Sequence, residues 1–139
     1  MIVLDTNVLS ELMRPAPSDS VRRWVAGQSA GELFITAITQ AEILFGLALL
    51  PPGQRRTVMT ATAEEMFRED FRDRILDFDT GSARHYASIA AARRRLGRPI
   101  SEFDAQIAAI ATSRSATVAT RNIADFMDCG LALVDPWQH

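Results

Sequence analysis

Four acids stand where plain packing would not choose them. Asp5 follows Ile2, Val3 and Leu4; Glu42 sits amid Ile38, Ala41, Ile43, Leu44, Phe45 and Leu47; Asp104 precedes Ile107, Ala108, Ile110 and Ala111; Asp125 lies five residues beyond the run "TVAT". A carboxylate near an apolar interior must be neutralised, hydrogen-bonded or bound to a cation. If the four converge, each pair at ~4 Å and an effective dielectric of ~20 repels by about 4 kcal/mol, which forces protonation or recruits a divalent cation. All-oxygen ligands suit Mg²⁺ or Mn²⁺. Zinc is disfavoured, because His85 and His139 are not spaced as a pair and Cys129 stands alone. One or two such ions, roughly 3.5 to 4 Å apart if two, point to phosphodiester hydrolysis as the reaction class.

Each acid also has a plainer reading. Asp104 stands three residues after Ser101 and Asp125 three after Asn122, the pattern that satisfies free N–H groups at a helix start. Asp5 can cap a helix beginning near Val8, and Glu42 can be the one exposed position of an otherwise buried helix.

The elements that must position these residues alternate. "IVL" at 2 to 4, "ELFITA" at 32 to 37, "ILDFD" at 75 to 79, "ATVAT" at 116 to 120 and "LALVDPW" read as strands. Between them, helices are expected in "NVLSELMR" and in "SVRRWVAGQ", the latter capped by Asp19 and Ser20. Others are expected in "ITQAEILFGLALL", along an amphipathic stretch from about Gln54 to Arg74, and in "GSARHYASIAAARRRLG" capped by Thr80. The last are "SEFDAQIAAIATSRS" and the short "NIADFMD". That alternation predicts an α/β domain with a mainly parallel sheet covered on both faces. Asp5 and Thr120 both end short strands, and ligands in such sheets gather outside the carboxyl ends of strands.

Composition bounds the rest. At 139 residues and 47% hydrophobic, the chain is expected to form one domain, residues 1–139, with no membrane span and no signal peptide, and hence to be cytoplasmic. Net charge is −2, and all 15 basic residues are Arg. The absence of lysine excludes Schiff-base chemistry and the phosphate-binding lysine of P-loops. Cys129 reads as a small buried hydrophobe.

"GQSAG" at 27 to 31 matches the serine-hydrolase elbow, but it follows a helix and precedes a strand, the reverse of what that elbow requires, so Gly27 and Gly31 are read as a helix stop and turn. The basic run "ARRRLGR" at 92 to 98 offers Arg93, Arg94 and Arg98 as substrate-phosphate contacts, against the plain reading of basic residues favoured by a helix C-terminus. Trp24 and Trp137 are expected to anchor the core or an interface, with no sign of a base-stacking platform.

The segments "IVLDTNVLSEL", "TAITQAEILFG", "SEFDAQIAAIA" and "VATRNIADF", in that order, and the closing "LALVDPW" resemble the PIN-domain ribonucleases, and within them the VapC and FitB-like toxins of type II toxin–antitoxin pairs. The resemblance implies a three-layer α/β/α fold with about five strands, the first and fourth flanking the switch point. It implies that Asp5, Glu42, Asp104 and Asp125 are the catalytic, metal-binding acids, supported through hydrogen bonds by Asn7, Thr120 and Asn122. It further implies Mg²⁺ or Mn²⁺ as cofactor, RNA as substrate, an antitoxin partner whose tail crosses the acidic groove, and a homodimer that assembles with the antitoxin into a heterotetramer or larger. The chain departs from that pattern in lacking lysine, so basic contacts to substrate must come from arginine. An acidic-groove binding module without cleavage activity and a DNA-directed nuclease of the same fold are the alternatives.

Overall fold

Short runs of β-branched and long apolar side chains form five strands in the computed structural model, which describes residues 1–139. These are β1 (Ile2–Leu4), β2 (Leu33–Thr36), β3 (Ile75–Leu76), β4 (Thr117–Ala119) and β5 (Leu133–Val134). They make one sheet in the order β3-β2-β1-β4-β5, with every pair parallel. Ile2 faces Leu33 on one side and Thr117 on the other, so β1 is the central strand. The connection after β1 leads to β2 while β4 pairs on the opposite side, which places the switch point between β1 and β4, as the resemblance implied.

Six helices cover the sheet: α1 (Thr6–Leu12), α2 (Asp19–Ala26), α3 (Ala37–Ala48), α4 (Gln54–Glu65), α5 (Thr80–Arg95) and α6 (Glu102–Ser113). Successive strand residues point to opposite faces, and Val3 and Leu4 divide accordingly. Leu4 joins Val8, Leu9, Trp24, Ile35 and Phe67 in a core under α1 to α4. Val3 joins Val118, Ile89, Ile107, Ile110 and Phe126 in a second core under α5 and α6. Two cores on two faces make the expected three layers.

Several boundaries differ from the sequence expectation for local reasons. β3 stops at Leu76 rather than running to 79, because Asp79 turns the chain: its carboxylate accepts the Ser82 N–H at 2.8 Å and the Ser82 hydroxyl at 2.9 Å. Asp79, not Thr80, is therefore the cap of α5, and those bonds hold its pKa below the ordinary value. The stretch from Gln54 breaks after Glu65 into a π turn at Met66–Asp70, which delivers Phe67 and Phe71 to the first core. "NIADFMD" and the end of "LALVDPW" form 3₁₀ turns at Ile123–Phe126 and Pro136–Gln138. α5 closes at Gly97, whose φ of +73° is the left-handed conformation a helix stop requires. α3 buries Ile43 and Leu47 yet leaves Phe45 65% and Leu49 68% exposed, so Glu42 is not the lone outward position of a buried helix.

Candidate active site

Asp5 leaves β1 while still in the ladder, its N–H donating to the Ala119 carbonyl of β4 at 2.9 Å. The next turn starts α1, and Asp5 caps it by accepting the Thr6 N–H on Oδ1 at 2.8 Å. The plain capping reading is thus correct, and incomplete. The other oxygen, Oδ2, accepts the Thr120 hydroxyl at 2.8 Å and the Asn7 amide at 3.2 Å. Only 4% of Asp5 is exposed. Burial pushes its carboxyl up to about 6, against the hydrogen bonds from Thr120 and Thr6, and the charges of Asp104 and Glu42 push the same way.

Thr120 follows directly on β4, next to Asp5. Its hydroxyl oxygen also accepts the Asn122 N–H at 3.0 Å and the Asn7 amide at 3.4 Å. Of the three supports implied by the resemblance, Asn7 and Thr120 bond Asp5 directly, and Asn122 bonds Thr120 through its backbone N–H.

Glu42 arrives from α3, one turn along from a threonine relay. The Thr36 hydroxyl caps α3 by accepting the Thr39 N–H at 3.0 Å, and the Thr6 hydroxyl donates to Glu42 Oε1 at 2.8 Å. Since that bond uses Thr6's only hydroxyl proton, the 2.9 Å contact between Thr39 and Thr6 must run from Thr39 to Thr6. The sequence carries little sign of the roles of Thr6 and Thr39 beyond Thr6 standing between Asp5 and Asn7. Replacing the fully buried Thr39 by Val removes one hydroxyl donor while keeping shape. Urea denaturation should register a loss of about 1 kcal/mol, and an unchanged midpoint would show that the relay does not stabilise this end of α3.

Asp104 lies in the first turn of α6, its N–H donating to Ser101 Oγ at 3.2 Å. Burial raises its pKa above the ordinary value; the Ser101 bond lowers it, Asp125 raises it and Arg93 lowers it. Asp5, Glu42 and Asp104 line one cleft of about 610 Å³, together with Asn7 and Asn122. Asp125 does not line it. Its side chain is exposed on the 3₁₀ turn, near enough for its charge to act on Asp104. The expectation is corrected in detail: three of the four acids line the cleft, and Asp125 stands on the adjoining turn, where the Asn122 carbonyl accepts its N–H at 3.0 Å and its charge acts on Asp104.

The arginines expected at substrate are also corrected. Arg93 is 6% exposed and its guanidinium is spent on carbonyls: Nε donates to Arg98 O at 2.7 Å, and Nη1 to Asp125 O at 2.7 Å and Met127 O at 3.1 Å. Arg98 pairs with Asp128, and neither it nor the exposed Arg94 lines the cleft. Arg14 and Arg121 do, with Trp137 beside them.

No three acidic, imidazole or thiol side chains close on one point as a ready-made ion cage. The donor chemistry nevertheless fits a hard divalent cation. Mg²⁺ keeps several waters and takes only one or two carboxylates, and Asp5 is a buried acid whose acidic neighbours raise its pKa further.

Residues 2–126 match the family model described as PIN domain. Among curated proteins, the chain is 40% identical over 138 residues to the VapC ribonuclease Y4jK of Sinorhizobium fredii, with 99% of each chain covered. It is 39% identical over 137 residues to Toxin FitB of Neisseria gonorrhoeae, again with 99% of each covered. Among solved structures, FitAcB from Neisseria gonorrhoeae superposes with a TM-score of 0.94 at 38% identity, covering 100% of both chains.

Proposed function

The chain belongs to the PIN domain family, and from that premise we propose that it is the toxin of a type II toxin–antitoxin pair, an endoribonuclease that hydrolyses RNA phosphodiester bonds with Mg²⁺ or Mn²⁺. The observation that carries this reading is the cleft at the strand ends, where Asp5, Glu42 and Asp104 come from three separate segments and Asp5 is driven up to about 6. Asp5, with Glu42 or Asp104 beside it, would hold the cation through one or two carboxylates and bound waters, and Asp125 adds negative charge that acts on Asp104. A bound divalent cation supplies charge stabilisation at a phosphoryl oxygen and acidifies water.

The chain's own contribution is placement. Thr6 N fixes one Asp5 oxygen while Thr120 and Asn7 fix the other, so the carboxylate cannot rotate. Thr6 steadies Glu42 in the same way. Groups held by such bonds need no reorganisation when charge develops on the phosphate.

An apolar trough of about 480 Å³, lined by Met13, Ile43, Leu47, Leu50 and Met59, opens into the acid cleft through the shared residues Thr6, Ser10, Arg14 and Glu42. A groove that is apolar at one end and acidic at the other suits an antitoxin segment carrying apolar anchors and then a basic residue. The exposed Phe45, Leu49 and Val58 leave apolar surface for a second copy of the chain. No helix is long and apolar enough to cross a membrane.

Digests of matched single-stranded RNA and DNA with Mn²⁺ or with EDTA test the reading. Wild type should cut RNA in Mn²⁺ and neither polymer in EDTA. Asp104→Asn should lower the rate by at least about a hundredfold, since even groups that merely support a metal ligand are worth 10- to 100-fold. RNA bound and left intact with every divalent metal would favour the binding module, and preferential DNA cleavage the DNA-directed nuclease.

A further inference from the structure

Arg121 lies two residues beyond β4, directly after Thr120, and lines the acid cleft. Only two arginines line that cleft. Arg14 is paired with Glu11 at 3.4 Å, whereas the Arg121 guanidinium has no carboxylate partner and no hydrogen-bond acceptor anywhere in the chain. Its charge is held instead over the Trp137 ring, 5.0 Å from the centroid. The residue carrying the ring is anchored through its backbone: the Trp137 main-chain N–H donates to Asp135 Oδ1 at 2.9 Å, and the preceding Pro136 is buried. The backbone of Arg121 is tied to the acids as well, its N–H donating at 3.4 Å to the Oδ1 of Asn7, whose amide binds Asp5. Five donors with nothing to bind, oriented by a ring and anchored one residue away from the buried acid, describe an anion site waiting beside a cation site.

We propose that Arg121, stacked on Trp137, binds a phosphate of the RNA strand next to the one being cut, and so sets how the strand lies across Asp5 and Asp104. The assignment rests on the endoribonuclease reading above. It follows from charge: a polyanion entering a cleft lined by Asp5, Glu11, Glu42 and Asp104 is repelled except where a cation meets it, and Arg121 is the one side-chain cation there free to do so. Arginine suits the task, since its planar fork can lie flat on an indole and still present its edge to two phosphate oxygens.

The test is cleavage of a labelled single-stranded RNA in Mn²⁺ over a range of salt, with circular dichroism to confirm folding. Arg121→Gln should raise KM about tenfold or more with a smaller change in kcat, and should flatten the slope of log KM against log salt by about 0.7, the contribution of one phosphate on a single strand. Arg121→Lys should recover the salt slope and part of the affinity. Trp137→Ala should raise KM about threefold with the salt slope unchanged, since the charge survives and only its platform is lost, and Trp137→Phe, which restores a weaker aromatic face, should recover part of that loss. Wild-type KM and slope in Arg121→Gln would overturn the assignment, as would a raised KM with an unaltered slope, which marks a merely structural role. If wild type leaves the RNA uncut, the endoribonuclease reading is what fails; anisotropy of the same labelled RNA then decides, with equal binding by wild type and Arg121→Gln overturning the phosphate site and about tenfold weaker binding by the variant supporting it.

Discussion

Asp5→Asn is expected to stop metal-dependent RNA cleavage and, at the same time, to make the metal-free protein more stable. Both follow from one buried carboxylate. Its pKa rises from 3.8 to about 6 on folding, chiefly through burial. At 1.36 kcal/mol per pKa unit, ionised Asp5 costs the native state about 3 kcal/mol. Between pH ~4 and ~6 the native state binds this proton more tightly than the unfolded chain. The stabilisation from the raised pKa is fully present below pH ~4 and is lost as pH rises through about 6. Asparagine carries no charge at any pH. It gives up one of the oxygens that receive Thr120, Thr6 and Asn7, a loss of about 1 kcal/mol. In EDTA the variant should therefore match wild type or fall slightly below it at pH 4.5, and exceed it by about 2 kcal/mol at pH 7.5, read by urea denaturation at both values. Saturating Mn²⁺ should restore the order, adding about 2.7 kcal/mol to wild type at a hundredfold excess over Kd and little to the variant. Cleavage should drop by about a thousandfold or more, about 4 kcal/mol on the barrier. Retained RNase activity, or a variant less stable than wild type at both pH values, would show that Asp5 is not the strained anion described here.

The same carboxylate shows why much of the site was legible in sequence. An acid directly after three apolar residues has few structural options, and both readings of Asp5, as cap and as buried anion, hold together because its two oxygens serve different partners. Thr120 was locatable by the same logic, since two parallel strands of similar length end side by side. What sequence could not resolve were directions within tight turns. The spacing that puts Asp125 close to Asn122 does not tell whether its carboxylate lines the cleft or acts on Asp104 from the adjoining 3₁₀ turn Ile123–Phe126. The expected packing anchor Trp137 is half-buried against the first core; that its ring also carries Arg121 depends on a contact across 16 residues that no local pattern encodes.

The basic run at 92 to 98 holds a different lesson, because there the signal was present. Ser82, Ile89 and Arg93 are the buried positions of α5, a stripe at helical spacing that places Arg93 inward in line with Ile89. Read as charge alone, three adjacent arginines look equivalent; read as a helix face, one of them points into the protein and its neighbours do not.

Arg93→Met should accordingly damage the fold rather than substrate affinity. Methionine keeps the aliphatic stem and removes a guanidinium that donates to the carbonyls of Arg98, Asp125 and Met127, with Cys129 Sγ a further contact at 3.8 Å. Those carbonyls belong to the turn after α5, to the 3₁₀ turn Ile123–Phe126 and to Met127 just beyond it, where the chain goes on to Asp128 with a φ of +61° and Gly130 with +73°. A left-handed aspartate is held by its surroundings or not at all, and Arg93 is the buried group that bonds across this gap. Losing three charge-assisted bonds to buried or half-buried carbonyls should cost about 3 kcal/mol in urea denaturation. Arg93→Lys should recover only part, since one ammonium cannot serve carbonyls on both segments. Arg98→Ala removes the exposed pair with Asp128 and should cost under about 0.5 kcal/mol, so the comparison separates the buried clamp from the surface bridge. Mn²⁺ affinity of the still-folded Arg93→Lys protein adds a functional readout, because the loosened segment carries Asp125 and the displaced cation no longer favours ionised Asp104. A Met variant within 0.5 kcal/mol of wild type, on the scale where surface changes fall, would mean that the turn bearing Asp125 keeps its shape without the guanidinium, and Arg93 would return to the pool of residues available for the RNA.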